Sequence, residues 1–172
     1  TRESPALLAM GKSVADADVQ KVYLTYVEAL AKEYKPRYMG LASEVNFLLD
    51  TLDPKPRAAM IQMVEKAAQR VHTVSPRTNV YVSFQADYAW GRLATKGDYK
   101  GCEEAFKAFP SMQALGISSY PYFGWDEPSQ VPDDYISRIL GSRKLPVIVD
   151  EGGWSSVSVG DFRGSPEKQA AW

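Results

Sequence analysis

The chain has 172 residues, which is enough for one domain with a substantial core and too few for two large domains. Hydrophobic residues make up 45% of the sequence and charged residues 24%, which is the balance of an ordinary globular protein. The net charge of -1, from 20 basic and 21 acidic residues, argues against nucleic acid or an anionic membrane as the main partner.

The first half of the chain predicts two long helices and two strands. Residues 16–34 and 53–74 have apolar side chains at helical spacing. Between them, residues 37–49 predict a short strand, and residues 79–87 ("NVYVSFQAD") alternate with a period of two, as a strand does. The apolar stripe of the first helix is expected to comprise Val19, Val22, Tyr23, Tyr26, Val27 and Leu30.

The second half repeats the alternation with shorter elements. Residues 102–109 and 132–140 predict short helices, and residues 114–123 predict a strand between them. The segment "LPVIVDEGGWSS" begins at Leu145 with branched apolar residues, which suit a strand covered on both faces. A last helix is expected to begin after Ser165.

Strict alternation of helices and strands predicts a parallel sheet with right-handed crossovers. No glycine-rich phosphate loop follows a strand, which disfavours a dinucleotide-binding sheet. The fold class expected from this alternation is therefore α/β, in a single domain over residues 1–172.

The scarcity of reactive side chains excludes several chemistries. Cys102 is the only cysteine, so an intrachain disulfide is excluded, and a single histidine rules out a multi-histidine metal site. No apolar run reaches the roughly 18–20 residues that span a bilayer, so no membrane partner is expected.

Two predicted strands end in a glutamate: Glu44 in "GLASEVN" and Glu151 in "VIVDEGGW". Strand ends are where the active sites of (β/α) barrels lie. Strand parity places small and polar residues, among them Gly116 and Ser118, on the inner face of the sheet. Two carboxyl groups about 5–5.5 Å apart can cleave a glycosidic bond with retention, because one protonates the leaving oxygen while the other attacks the anomeric carbon.

Aromatic residues are expected in the loops that follow the strands. Trp90, Trp125 and Trp154 fall in such loops and offer flat faces to sugar rings. Gln85 either lines the site or serves as an inward structural amide.

The segments "YMGLASEVNFL", "GISSYPYF" and "LPVIVDEGGWSS" resemble strands four, six and seven of clan A glycoside hydrolases, with the endo-β-1,4-galactanase family among the nearest. The resemblance implies that Glu44 is the acid/base, that Glu151 is the nucleophile, and that Tyr120 hydrogen-bonds the nucleophile. Clan members have asparagine before the acid/base, to bind the sugar 2-hydroxyl. Here Ser43 takes that position, and Asn46 lies two residues beyond the glutamate.

The function expected is a retaining glycoside hydrolase acting on a β-linked polysaccharide or oligosaccharide, with no metal or organic cofactor. The alternative is a non-catalytic carbohydrate-binding or scaffold protein with a degenerate barrel. The resemblance implies a (β/α)8 TIM barrel, present as a partial barrel of about four βα units that match strands four to seven of the clan. The remaining strands are then expected from a longer chain or from a second copy. The resemblance favours secretion, although the residues themselves do not decide localisation.

Overall fold

The computed structural model describes residues 4–93 and 97–172. Its elements in chain order are α1 (Pro5–Ala9), α2 (Ala17–Tyr34), β1 (Tyr38–Ala42), α3 (Val45–Thr51), α4 (Pro54–Val74), β2 (Asn79–Gln85), α5 (Ala86–Ala89), α6 (Glu103–Ala108), β3 (Ala114–Ser119), α7 (Tyr135–Leu140), β4 (Val147–Gly152) and α8 (Pro166–Ala171). Two short 3-10 turns, Pro121–Phe123 and Pro128–Gln130, lie between β3 and α7.

The four strands form one parallel sheet in the order β1-β2-β3-β4. Each strand therefore pairs with the next strand along the chain, after a crossover that contains helix. This order is that of an arc of a (β/α) barrel, and it confirms the predicted alternation.

The outer face of the sheet packs against the helices and holds the core. Val80, Val82 and Phe84 of β2 and Leu115 and Ile117 of β3 are buried there, as their parity predicts. Helix α4 covers this face with the apolar stripe that includes Met63, Val64, Ala67, Ala68 and Val71.

Helix α2 buries a different stripe from the one predicted. Its buried residues are Leu24, Val27 and Ala31, whereas Val22 and Tyr26 are 71% and 63% exposed. The reason is that the helix carries more apolar residues than one stripe can bury where it packs against α4.

The inner face of the sheet has room because two glycines lie on it. A Cβ atom at Gly40 would meet the Tyr81 ring at 2.9 Å, and one at Gly116 would meet it at 2.7 Å. The ring of Tyr81 thus lies across the inner face, over β1 and β3. Small residues on this face are what the parity of the sequence predicts.

Three predicted strands differ from the structure. The segment 37–49 is strand only as far as Ala42, and residues 45–51 form α3 instead. The segment 114–123 is strand only as far as Ser119, and residues 121–123 form a 3-10 turn. The prediction that β4 is covered on both faces is wrong, since Val147 and Val149 are 38% and 59% exposed in the described part of the chain. In the described residues no helix is both long and apolar enough to cross a membrane.

Candidate active site

Glu44 leaves the end of β1 in an unusual backbone conformation. Its φ of 53° and ψ of 39° are left-handed, which costs a residue other than glycine about 1–2 kcal/mol. The strained residue is also the N-cap of α3, and its N–H donates to Ser83 Oγ at 3.2 Å. Strain of this kind gathers at functional sites, where surrounding contacts hold it.

Glu151 is placed by a β-bulge in β4. Ile117 pairs with Val149, and the next residue of β3, Ser118, pairs with Glu151. Asp150 is therefore the extra residue, and the interruption of the alternation allows two consecutive carboxylates to reach the inner face. The hydroxyls of Tyr81 and Ser83, both on β2, lie beside the Asp150 carboxylate and lower its pKa, against the larger effect of burial.

Ser118 joins the two glutamates. Its hydroxyl lies 2.9 Å from Glu44 Oε1 and 3.4 Å from Glu151 Oε2. Since a hydroxyl has one proton, the shorter contact is the stronger bond and Glu44 receives it. These two contacts to one oxygen place Glu44 Oε1 and Glu151 Oε2 no more than about 6.3 Å apart, a limit that allows the ~5–5.5 Å separation typical of retaining glycosidases.

A tyrosine also contacts Glu151. Tyr120 donates its phenolic hydrogen to Glu151 Oε2 at 3.1 Å. The pKa of Tyr120 is raised mainly by desolvation, and also by this hydrogen bond and by the negative charge of Glu151. The phenol therefore stays protonated and can act as a donor. Burial and the charge of neighbouring Glu151 likewise raise the pKa of Asp150.

Asp87 lies behind this site and is fully buried. It accepts hydrogen bonds from the Tyr120 N–H at 2.7 Å, from the Tyr135 hydroxyl at 2.7 Å and from Gln85 Nε2 at 3.1 Å. Burial raises the pKa of Asp87, and the three hydrogen bonds oppose that rise.

Asn46 and Gln85, predicted to touch substrate, bind each other instead. Asn46 Nδ2 donates to the Gln85 carbonyl at 3.0 Å, and the Gln85 N–H donates to Asn46 Oδ1 at 2.8 Å. The Gln85 side chain is engaged with Asp87 and with the N–H of Tyr88. Both side chains are buried, and their hydrogen bonds hold the end of β2 to α3. Ser43 is exposed at the rim and accepts a bond from Ser83 Oγ at 3.3 Å.

The tryptophans do not offer the free faces that the sequence suggested. Trp90 is 7% exposed, stacks on Tyr135 and donates its indole N–H to the Tyr135 carbonyl at 2.9 Å. Trp154 is only 2% exposed, and half-buried Trp125 packs edge-on against Trp90. The prediction that Trp90 and Trp154 offer free faces to sugar rings is therefore wrong, because both rings are buried. Burying these large rings stabilises the loops to which they belong.

A different aromatic cluster lies beside Glu151, in the loops that follow β3 and β4. Tyr120 contacts Phe123 with ring centroids 5.9 Å apart, and Phe123 contacts Phe162 at 5.1 Å. Tyr122 packs against all three rings. All four are half-buried, so part of the cluster remains open to a ligand. The sequence signal for it was weak because Phe162 lies beyond the recognisable segment.

Other nucleophiles and metal ligands play no evident part in this site. Burial raises the pKa of the Cys102 thiol to about 12, which keeps it protonated at neutral pH. In residues 4–93 and 97–172, no three histidine, cysteine, aspartate or glutamate side chains are grouped so that they could hold a metal ion.

Comparison with known proteins places the fold. No protein-family model matches the sequence, and no curated protein matches it. The structure is similar to the GH53 catalytic domain of Ignisphaera aggregans, with a TM-score of 0.51 and 13% sequence identity. The similarity covers 83% of this chain and 41% of that one, so this chain spans about two fifths of its neighbour's length. The likeness shows the fold: the chain is α/β, a partial TIM barrel.

Proposed function

We propose that the chain carries the acid/base and nucleophile pair of a retaining glycoside hydrolase for β-linked polysaccharides or oligosaccharides. The observation that carries the proposal is the pair of contacts from Ser118, which holds Glu44 and Glu151 close together at the carboxyl ends of two strands. Direct attack by one carboxylate needs a separation of about 5–5.5 Å, which these contacts allow, whereas inverting enzymes need about 6.5–9.5 Å for an intervening water.

Glu151 is the nucleophile. Glu151 is exposed to solvent, so an anomeric carbon can approach its carboxylate. Tyr120 fixes one carboxylate oxygen, and the other oxygen is available for attack. Attack forms a bond from the carboxylate oxygen to the anomeric carbon as the bond to the leaving oxygen breaks. The product of this step is a glycosyl ester on Glu151.

Glu44 is the acid/base. In the first step its carboxyl gives a proton to the leaving oxygen, and in the second its carboxylate takes a proton from the water that hydrolyses the ester. Its left-handed backbone, held by Ser83, directs the side chain toward Ser118 and therefore toward Glu151. Neither step uses a metal ion or an organic cofactor.

The GH53 neighbour and the aromatic cluster support a carbohydrate substrate. Aromatic faces bind the apolar faces of sugar rings, and Tyr122 and Phe123 pack against Tyr120, which contacts Glu151.

Azide rescue tests the assignment. Aryl β-glycosides with good leaving groups, including β-galactosides, are offered to Glu151→Ala and Glu44→Ala with and without azide. We expect Glu151→Ala with azide to yield the α-glycosyl azide and Glu44→Ala to yield the β-glycosyl azide, because azide occupies the face of whichever carboxylate is missing. Undiminished hydrolysis by Glu151→Gln would overturn the assignment.

A non-catalytic carbohydrate-binding protein is the second candidate, and serine in place of asparagine at position 43 is the observation that favours it. In that case the parent chain binds oligosaccharides without hydrolysing them. Its affinity is then unchanged by combining Glu44→Gln with Glu151→Gln.

A further inference from the structure

Asp87 is a buried carboxylate whose bonds all come from neutral groups. No ion pair of the described residues includes it, and its three donors are a backbone N–H, a phenol and an amide. Burying a carboxylate without a cation costs free energy, so the presence of Asp87 at this buried position calls for a physical reason.

The bond to Tyr120 supplies that reason. Asp87 follows β2, whereas Tyr120 is the first residue after β3, where the sheet no longer offers its N–H a partner. The 2.7 Å bond from this N–H to Asp87 Oδ2 thus fixes the peptide that carries the Tyr120 side chain. Asp87 is itself held by Tyr135 at its other oxygen.

We propose that Asp87 is a positioning residue, which acts through Tyr120 to orient Glu151. The proposal rests on the proposed function. The chain of contacts runs from Asp87 Oδ2 to the Tyr120 backbone, and from the Tyr120 hydroxyl to Glu151 Oε2 at 3.1 Å. A rotation of about 10° at the peptide moves the phenolic oxygen by about 1 Å, enough to break that hydrogen bond and to misplace a reacting group.

The test is a double-mutant cycle between Asp87→Ala and Tyr120→Phe, with kcat and KM measured on an aryl β-glycoside. Asp87→Ala is expected to lower kcat by about 10²-fold with little change in KM. In the Tyr120→Phe background the same change is expected to cost only a small fraction of that, since the hydrogen bond it supports is already gone. Equal losses in both backgrounds overturn the proposal.

Two further variants keep the test decisive. Asp87→Asn can keep the bond to Tyr120 through its carbonyl oxygen while its amide faces Tyr135, so it should retain most of the activity that alanine loses. If Asp87→Ala does not fold, Tyr135→Phe removes the other anchor of Asp87 and should give a smaller kcat loss that also vanishes with Tyr120→Phe. A loss that persists there counts against the proposal.

A matched control and a readout without catalysis complete the design. Glu65→Gln changes a carboxylate that binds the N–H and hydroxyl of Ser111, before β3 and away from Glu151, and should leave kcat unchanged. In NMR spectra, introducing Glu151→Gln into the parent chain should shift the resonances of the Tyr120 ring. Introducing the same substitution into the Asp87→Ala variant should leave those resonances unshifted. If the parent shows the shift but no hydrolysis, the proposed function fails and the positioning contact stands. If the shift persists in Asp87→Ala, the positioning proposal itself fails.

Discussion

Replacing Ser118 by alanine removes the hydroxyl that joins the two glutamates, and it should impair acid catalysis more than it impairs folding. The bond to Glu44 Oε1 at 2.9 Å has ordinary hydrogen-bond length, whereas the 3.4 Å contact to Glu151 Oε2 exceeds it. The loss therefore falls mainly on Glu44.

The size of the effect follows from the charge on the acceptor. A hydrogen bond to a charged group contributes about 1.5–3 kcal/mol, and each 1.36 kcal/mol corresponds to tenfold in rate, so kcat/KM should fall by roughly 10- to 150-fold. The loss should shrink on dinitrophenyl glycosides, because their leaving oxygen needs little protonation.

Ser119→Ala is the matched control, since it removes the same atom from the next residue of the same strand. Ser119 is buried as Ser118 is, but its hydroxyl donates to Tyr135 at 3.2 Å and touches neither glutamate. Steady-state kinetics of both variants on glycosides of graded leaving-group acidity, with urea unfolding as the stability control, make the comparison. Equal losses in the two variants, or a Ser118→Ala loss independent of the leaving group, would refute the reasoning.

Three further predictions concern the inner face and the buried acid. Gly116→Ala should lower the free energy of unfolding by about 1–3 kcal/mol in urea titrations, because its Cβ would meet Tyr81 Cδ2 at 2.7 Å and Ser83 Cβ at 2.8 Å. Gly40→Ala should lower it by less, because its Cβ would meet only the far end of the Tyr81 ring. The reverse order of the two losses would contradict the packing described. Deleting Asp150 should remove the bulge and leave Glu151 opposite Ser118, so hydrolysis should survive. Deleting Ile148 instead shifts the pairing of β4 with β3 in the part of the strand that precedes the bulge. Equal inactivation by the two deletions would contradict this register. Because burial raises the pKa of Asp87, the folded state binds its proton more tightly than the unfolded chain does, and this contribution to stability is lost as pH rises through the folded pKa. The free energy of unfolding of the parent relative to Asp87→Asn should therefore increase from pH 7 to pH 4, and a constant difference would show that Asp87 is not perturbed.

The predictable part of the structure came from periodicity. Alternation in β2 and β3 identified the core residues Val82 and Phe84 and left Ser118 inward, because each strand residue must face one side or the other. The order of helices and strands likewise indicated a parallel sheet, since parallel strands need crossovers.

The bulge at Asp150 could not be predicted, because an extra residue changes the pairing of two strands without changing the pattern of either one. The hydrogen-bond partners of Asn46 and Trp90 could not be predicted for a related reason. Whether an amide or an indole binds a ligand or its own protein depends on which backbone groups come within reach, and that is decided by contacts between distant segments, such as Asn46 with Gln85.

The most direct test of the central claim is to trap the glycosyl ester. The chain is incubated with 2-deoxy-2-fluoro β-glycosides that carry activated leaving groups, from galactose, glucose and xylose, and its peptides are mapped by mass spectrometry. We predict time-dependent inactivation with the sugar attached to Glu151, and no adduct in Glu151→Gln. An adduct on another residue, or hydrolysis that proceeds with inversion at the anomeric carbon, would contradict the account.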